Sequence, residues 1–301
     1  MKISQYKMFS QIKSLLKITA PTAPVVLSPQ LDAYLVSQMI GAAIVSNQPF
    51  LASRLGFTEA RSLSQPDAET NPSEFIRDLI WRYSGVFPAT VQQFLDFRQK
   101  YLAALEQVDL LGLIRNPAEY KLVKALRRPP VTCDIASLEP YLHPLPWSKF
   151  LVGRSVLVIH PFAESILSQY AIRKDLFLNP DVLPEFQLIV IKAPQTLAGN
   201  ADRFESWTHA LEFLIQRVSE ADFDIAIIGC GAYGLPLGAH IKKMGKTAIH
   251  LGGATQILFG ISGKRWLERP NFRALMSNAW RQPSDSERPQ NLDKVEEGCY
   301  W

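Results

Sequence analysis

Cysteine is scarce in this chain, histidine nearly so, and long hydrophobic runs are missing. Each shortage argues against a class of function. The three cysteines among 301 residues, Cys133, Cys230 and Cys299, form neither a CxxC pair nor a disulfide framework. A stapled secreted scaffold is therefore disfavoured, and a reduced, cytosolic setting is the default. No stretch approaches the ~18 apolar residues of a membrane helix, and no signal-peptide pattern opens the chain. The expected location is cytoplasmic, with peripheral contact at the inner membrane as the furthest excursion. HExxH, GxSxG and the P-loop lysine pattern are absent, so zinc-protease, Ser/His/Asp and P-loop chemistry have no support. Acid is missing from residues 1–31, which carry Lys2, Lys7, Lys13 and Lys17. That basic extension (1–29) is either a solvated amphipathic start or a weak anchor on an anionic membrane. The remainder is close to neutral, and the net charge of +4 does not point to nucleic acid.

What is present is ordinary globular composition, 47% hydrophobic and 20% charged. The length is ample for one large core. Residues 30–301 are expected to form a single α/β domain. Apolar spacing predicts a helix over 30–46, a strand over 49–54 and a helix from Thr58. Residues 66–90, polar and rich in Pro and Ser, read as an excursion. A helix over 91–107 comes next, then an irregular connection over about 108–150, where prolines crowd. From 154 the pattern is regular. Strands at 155–159, 186–191, 225–228 and 247–251 alternate with helices at 162–177, 202–220, after Gly234 and from about Ala254. Such alternation implies a Rossmann-like, mostly parallel sheet with helices on both faces and a helical, irregular N-terminal portion.

The most informative stretch is FDIAIIGCGAYGLPLGAHIKKMGKTAIHLGG, residues 223–253. A strand runs directly into a glycine turn and a helix, the arrangement that brings backbone N–H groups against a phosphate. The other reading is a tight βα turn without a ligand. A dinucleotide-binding domain would carry an acid about 20 residues on, for the ribose hydroxyls. His250, Leu251 and Gly252 stand there instead, which argues against NAD or FAD.

Open parallel sheets bind ligands at the carboxyl ends of their strands. Those ends carry Arg54, Gly56 and Glu59; His160; Gln195; Gly229, Gly231 and Gly234; and His250, Gly252, Gly253 and Gln256. Gly229, Gly231 and Gly234 can cradle an anion with the following helix dipole. Gly252 and Gly253 open a second helix start, with Gln256 placed to hydrogen-bond. Arg54 is a permanent planar cation suited to a diphosphate. Glu59 is a candidate general base or metal ligand, or else a helix N-terminal acid. His160 is a candidate proton acceptor, and with His250 it could equally be a hydrogen-bonded structural residue. Asp222-Phe223-Asp224 matches the DxD of many sugar transferases but precedes its strand, on the wrong edge.

Two segments resemble the GT-D-type glycosyltransferases of bacterial surface-polysaccharide and adhesin glycosylation. Ser53-Arg54-Leu55-Gly56-Phe57-Thr58-Glu59 looks like that family's R-[FY]-G-D-G-E segment. IIGCGAYGLPLGAHIKKMGKTAIHLGG looks like its late strand–glycine–helix–strand unit. The phrases VLVIHPFAESI, GGATQILFGISGKRW and VEEGCYW also look like a group of bacterial proteins from polysaccharide gene clusters, a resemblance spanning roughly residues 30–301. The family resemblance implies a UDP-sugar donor, a glycan or lipid-linked acceptor, and Mn²⁺ or Mg²⁺ held by an Asp-x-Glu motif. Arg54, Gly56 and Glu59 match the R-[FY]-G-D-G-E segment. Phe57 stands where the Asp is expected, which removes a hard oxygen ligand. No resident metal is assigned on the sequence. The expected function is glycosyl transfer from a nucleotide sugar in surface-polysaccharide assembly. The alternative is a non-catalytic nucleotide or sugar-nucleotide binding protein that regulates or scaffolds that assembly.

Overall fold

The computed structural model describes residues 31–289 apart from 198, 199 and 202. The basic extension and the closing VEEGCYW, with Cys299, lie outside the described residues. A seven-stranded sheet organises the fold. Its strands are β1 (Phe50–Arg54), β2 (Leu110–Leu113), β3 (Val131–Asp134), β4 (Ser155–His160), β5 (Gln187–Lys192), β6 (Ile225–Ile228) and β7 (Thr247–His250). The order is β3-β2-β1-β7-β6-β4-β5. Every pairing is parallel.

Successive side chains of a strand point to opposite faces, and here both faces are covered. Leu157 and Ile159 of β4, with Ala226 and Ile228 of β6, enter one core. Val156, Val158, Ile225 and Ile227 enter the other. The first core is closed by helices α2 (Phe57–Leu63), α3 (Glu74–Ser84), α4 (Val91–Leu105), α5 (Pro117–Lys124), α7 (Trp207–Ser219) and α8 (Gly234–Lys243). The second is closed by α1 (Ala33–Val45), α6 (Ala163–Ala171) and α9 (Thr255–Leu258), with Trp147, Trp266 and Trp280. Side chains fix several helix starts. Asp32 accepts the Leu35 N–H and Thr90 the Gln93 N–H. Asn116 and Glu119 form a reciprocal capping box ahead of α5, with Pro117 in its first turn.

The connections fix where a ligand could sit. After β4 the chain crosses to β5 through α6, on one face. After β6 it crosses to β7 through α8, on the other. The chain diverges between these neighbouring strands, so a crevice opens beyond their carboxyl ends, at His160 and Gly229.

The N-terminal half departs from expectation. The connection over 108–150 is not irregular throughout, because it holds β2, α5 and β3. Three of the sheet's strands thus come from the first half of the chain. The excursion over 66–90 contains α3, whose buried Ile76, Ile80 and Ser84 follow helical spacing. The helix expected over 202–220 begins only at Trp207, capped by Ser206. The helix expected over 162–177 ends at Ala171, and a 3-10 turn, Arg173–Asp175, follows it.

Candidate functional site

Strand register lines up the chemistry. His250 is the direct partner of Ile228, and His160 is paired with Lys192. Just beyond these ends lies a cavity of about 240 Å³. Its wall includes Arg54, Gly56, Glu59, His160, Gln195, Gly229, Gly231, His250, Gly252, Gly253 and Gln256. Of the residues singled out from sequence, only Gly234 stays out of the wall.

The three glycines of the turn have different reasons to be glycine. A methyl group at Gly229 would meet His160 Cδ2 and Thr255 Oγ1, each at 2.6 Å. One at Gly234 would strike the His250 ring. These two make room for the protein's own side chains. Gly231 has a φ of +58° and nothing within 4 Å of where its Cβ would stand. It alone combines the left-handed backbone with open space on the cavity. Of the three glycines expected to cradle a phosphate, Gly231 is the one with open space beyond it.

Arg54 lies along Gly252, with its Cδ 3.3 Å from where a Cβ there would sit. Its guanidinium has no hydrogen bond or ion pair to any described residue. It is nonetheless the cation felt by several buried groups. Glu139, a buried carboxyl that the sequence reading did not single out, is pushed up to about 7 by burial, with Arg54 pulling the other way. Glu119 is raised by burial and held down by backbone N–H groups and Arg54.

Both histidines are buried and neutral. His160 is pushed down to about 3 by burial. Its Nδ1 accepts the Phe162 N–H at 3.0 Å, so Nε2 carries the proton in the neutral ring. That tautomer makes the free nitrogen a donor, not the proton acceptor expected from sequence. His250 is likewise pushed down to about 3, by burial and then by the charge of Arg54. Its Nδ1 sits 2.9 Å from Ser53 Oγ.

Glu59 is buried in the first turn of α2, where Gly56 is the N-cap. A methyl at Gly56 would meet its carboxyl carbon at 2.5 Å. The carboxylate is folded onto its own helix start, the geometry of a helix N-terminal acid. It also borders the cavity, close enough that its charge helps raise the Tyr101 phenol, after burial as the larger cause. Among the described residues no group of three His, Cys, Asp or Glu could hold a metal ion. Phe57, at the expected Asp position, is exposed.

Several wall residues escaped the sequence reading. Tyr83 and Ser84 come from the end of α3, and Tyr101 from α4. Tyr233 sits inside the glycine turn, stacked on Trp207 at 5.4 Å, with its hydroxyl 2.9 Å from Thr196 Oγ1. Thr196 in turn donates to Gly85 O, which ties the end of α3 to the β5 loop. Ser84 Oγ and Gln256 Oε1, on two wall residues, are buried without a hydrogen-bond partner among the described residues. Gln195 donates to Glu287 O at 2.8 Å, which brings Pro289 into the wall. No helix among the described residues is long and apolar enough to cross a membrane.

No family model matches the chain, and no curated protein matches it. Among solved structures it is similar to a selenomethionine-substituted structure described as domain of unknown function 1792 (DUF1792). The match has 10% identity and a TM-score of 0.40, over 74% of this chain and 83% of that one. A likeness at this level leaves the fold and the site to rest on the chain's own geometry.

Proposed function

We propose that the chain is a glycosyltransferase-like protein whose cavity takes a nucleotide-sugar donor, a UDP-sugar in the first instance, in bacterial surface-polysaccharide assembly. The observation that carries this reading is Arg54. It is a permanent cation with no hydrogen bond or ion pair to a described residue, packed along Gly252 and sharing one cavity wall with the glycine turn at the switch point. A guanidinium can bind a diphosphate in two-pronged fashion. In transfer, the leaving diphosphate gains negative charge, which Arg54 and the backbone around Gly231 would stabilise in place of water. The neutral His160, protonated on Nε2, would donate to the donor or leaving group. Glu59 is the remaining carboxylate at the cavity for the acceptor proton, once drawn off its helix start.

The second reading is a non-catalytic nucleotide or sugar-nucleotide binding protein. Phe57 in place of the Asp, and Glu59 turned onto Gly56, favour it. Donor turnover separates the two. The protein would be incubated with UDP-sugars and Mn²⁺, and again with chelator, and released UDP measured. UDP release that Arg54→Ala eliminates supports transfer. Tight binding with no release under either condition supports the binding protein. Absence of any nucleotide binding removes both.

A further inference from the structure

A second and larger cavity, of about 930 Å³, lies beside the first along β5. The two share Pro194, Gln195 and Pro289 in their walls. β5 is an edge strand of the sheet, so no neighbouring strand among the described residues covers this side. Four cations line the groove: Lys192, Arg203, Arg217 and Arg288. The one carboxylate in its described wall, Glu287, is already engaged. It is buried and accepts the Glu164 and Ser165 N–H groups and the Ser165 hydroxyl at the start of α6.

The cations are not spent on internal pairing. Arg288 has no side-chain hydrogen bond or ion pair to any described residue. Arg203 lies over the Phe213 ring at 4.7 Å and the Phe204 ring at 5.4 Å. A guanidinium held by its face keeps its N–H edges free and loses little freedom on meeting a planar or tetrahedral oxyanion. Lys192 and Arg217 pair only with exposed Glu164 and Glu220, at 3.5 and 3.7 Å. Such solvated pairs are worth little and yield readily to a stronger anion. Lys192 also sits directly opposite His160 in the strand register, one strand spacing from the first cavity.

We propose that this groove is a second binding site, for the oxyanion of a phosphate-bearing ligand, continuous with the first cavity but distinct from it. It stands whether or not the first cavity takes a nucleotide. A two-substrate protein needs such a neighbour, and two cations without an ion pair to a described residue, beside two held only by exposed carboxylates, select for a ligand carrying at least one phosphate.

Inorganic pyrophosphate, titrated calorimetrically at low salt into the full chain, tests it. Two classes of site are expected. Arg54→Ala should remove one and leave the other. In that background Arg288→Ala and Arg203→Ala should each weaken the remaining site by roughly tenfold or more. Arg288→Ala carries the test if Arg203→Ala disturbs its aromatic neighbours. Pyrophosphate binding that vanishes with Arg54→Ala alone, or that ignores both groove substitutions, overturns the proposal. A single class of site in the wild type, insensitive to Arg54→Ala but weakened by the groove substitutions, would instead tell against the nucleotide cavity and leave the groove standing. Flotation with phosphatidic acid vesicles, against phosphatidylcholine controls, distinguishes the phosphate's source. Flotation that Arg288→Ala abolishes assigns the site to a lipid headgroup, and pyrophosphate binding without flotation assigns it to a free phosphate ligand.

Discussion

Gly234 and His250 fit so closely that a methyl group on the glycine would lie 2.5 Å from Cδ2 of the imidazole. The start of α8 thus rests on the ring that ends β7, whose other side meets Ser53. Gly234→Ala should overpack this contact and cost about 1–3 kcal/mol. His250→Ala should relieve the crowding, so the double variant should cost clearly less than the sum of the two. Denaturant unfolding of the four proteins measures this, and additive costs would contradict the contact.

Gly231 should behave differently. Its φ of +58° with open space beyond predicts backbone strain without collision. Gly231→Ala should cost about 1–2 kcal/mol, with no rescue by substitutions at His160 or His250. Gly231→Asn should cost less, since asparagine tolerates the left-handed region. Both variants should bind nucleotide more weakly than their stability loss explains, because that backbone faces the cavity.

The two neutral histidines predict a pH signature. Their folded pKa values lie near 3, below the ~6.5 of an exposed imidazole. The unfolded chain therefore takes up more protons between these values. That contribution to stability is intact above about pH 6.5 and is lost as pH falls toward 3. Nitrogen NMR should find both rings neutral from pH 8 down to pH 5. Protonation of either above pH 5 would contradict their burial.

Glu139 carries the opposite sign. Its carboxyl is raised from 4.5 to about 7 in the folded chain, so the folded state holds the proton more tightly. Its effect is a loss of stability as pH rises from 4.5 through 7. Glu139→Gln should match the wild type at pH 4 and gain on it by pH 8. In Arg54→Ala the Glu139 carboxyl should titrate higher still, which carboxyl-carbon NMR can follow.

Glu287 closes the start of α6 with hydrogen bonds to Glu164 N, Ser165 N and Ser165 Oγ. Glu287→Ala leaves those donors without it, at about 1–3 kcal/mol. Glu287→Gln should recover part of that loss. Glu287→Ala should also increase proteolytic cutting after residue 281, since the Glu287 carboxylate ties this segment to α6.

Much of the second half of the fold was legible in the sequence, for physical reasons. Strands β4, β6 and β7 are buried on both faces and edge strand β5 is half-buried, so each reads as an apolar run closed by glycine, proline or histidine. β2 and β3 were not legible. Leu110–Leu113 is a four-residue run beginning five residues after the last residue of α4, Leu105, too short to separate from a helical continuation. Val131–Asp134 follows Pro129-Pro130 and edges the sheet, where proline is tolerated. α3 was masked by its Pro- and Ser-rich flanks, although Ile76, Ile80 and Ser84 stand at helical spacing. The cavity's strand-end residues were visible because parallel sheets gather them on one edge. Tyr83, Ser84 and Tyr101 were not, because tertiary packing alone brings α3 and α4 there. The reasons for Gly229 and Gly234 were also hidden, since each makes room for a side chain distant in sequence.

The most direct measurement is calorimetric titration of UDP into the wild type and Arg54→Ala. At saturating ligand the wild type should also melt at higher temperature, since ligand at ~100 times Kd adds about 2.7 kcal/mol. The wild type should bind UDP and Arg54→Ala should not, while the ligand-free variant stays folded, because Arg54 makes no hydrogen bond or ion pair with any described residue. Equal UDP binding by both proteins, or none by the wild type, would contradict the claim that this cavity is a diphosphate site built around Arg54.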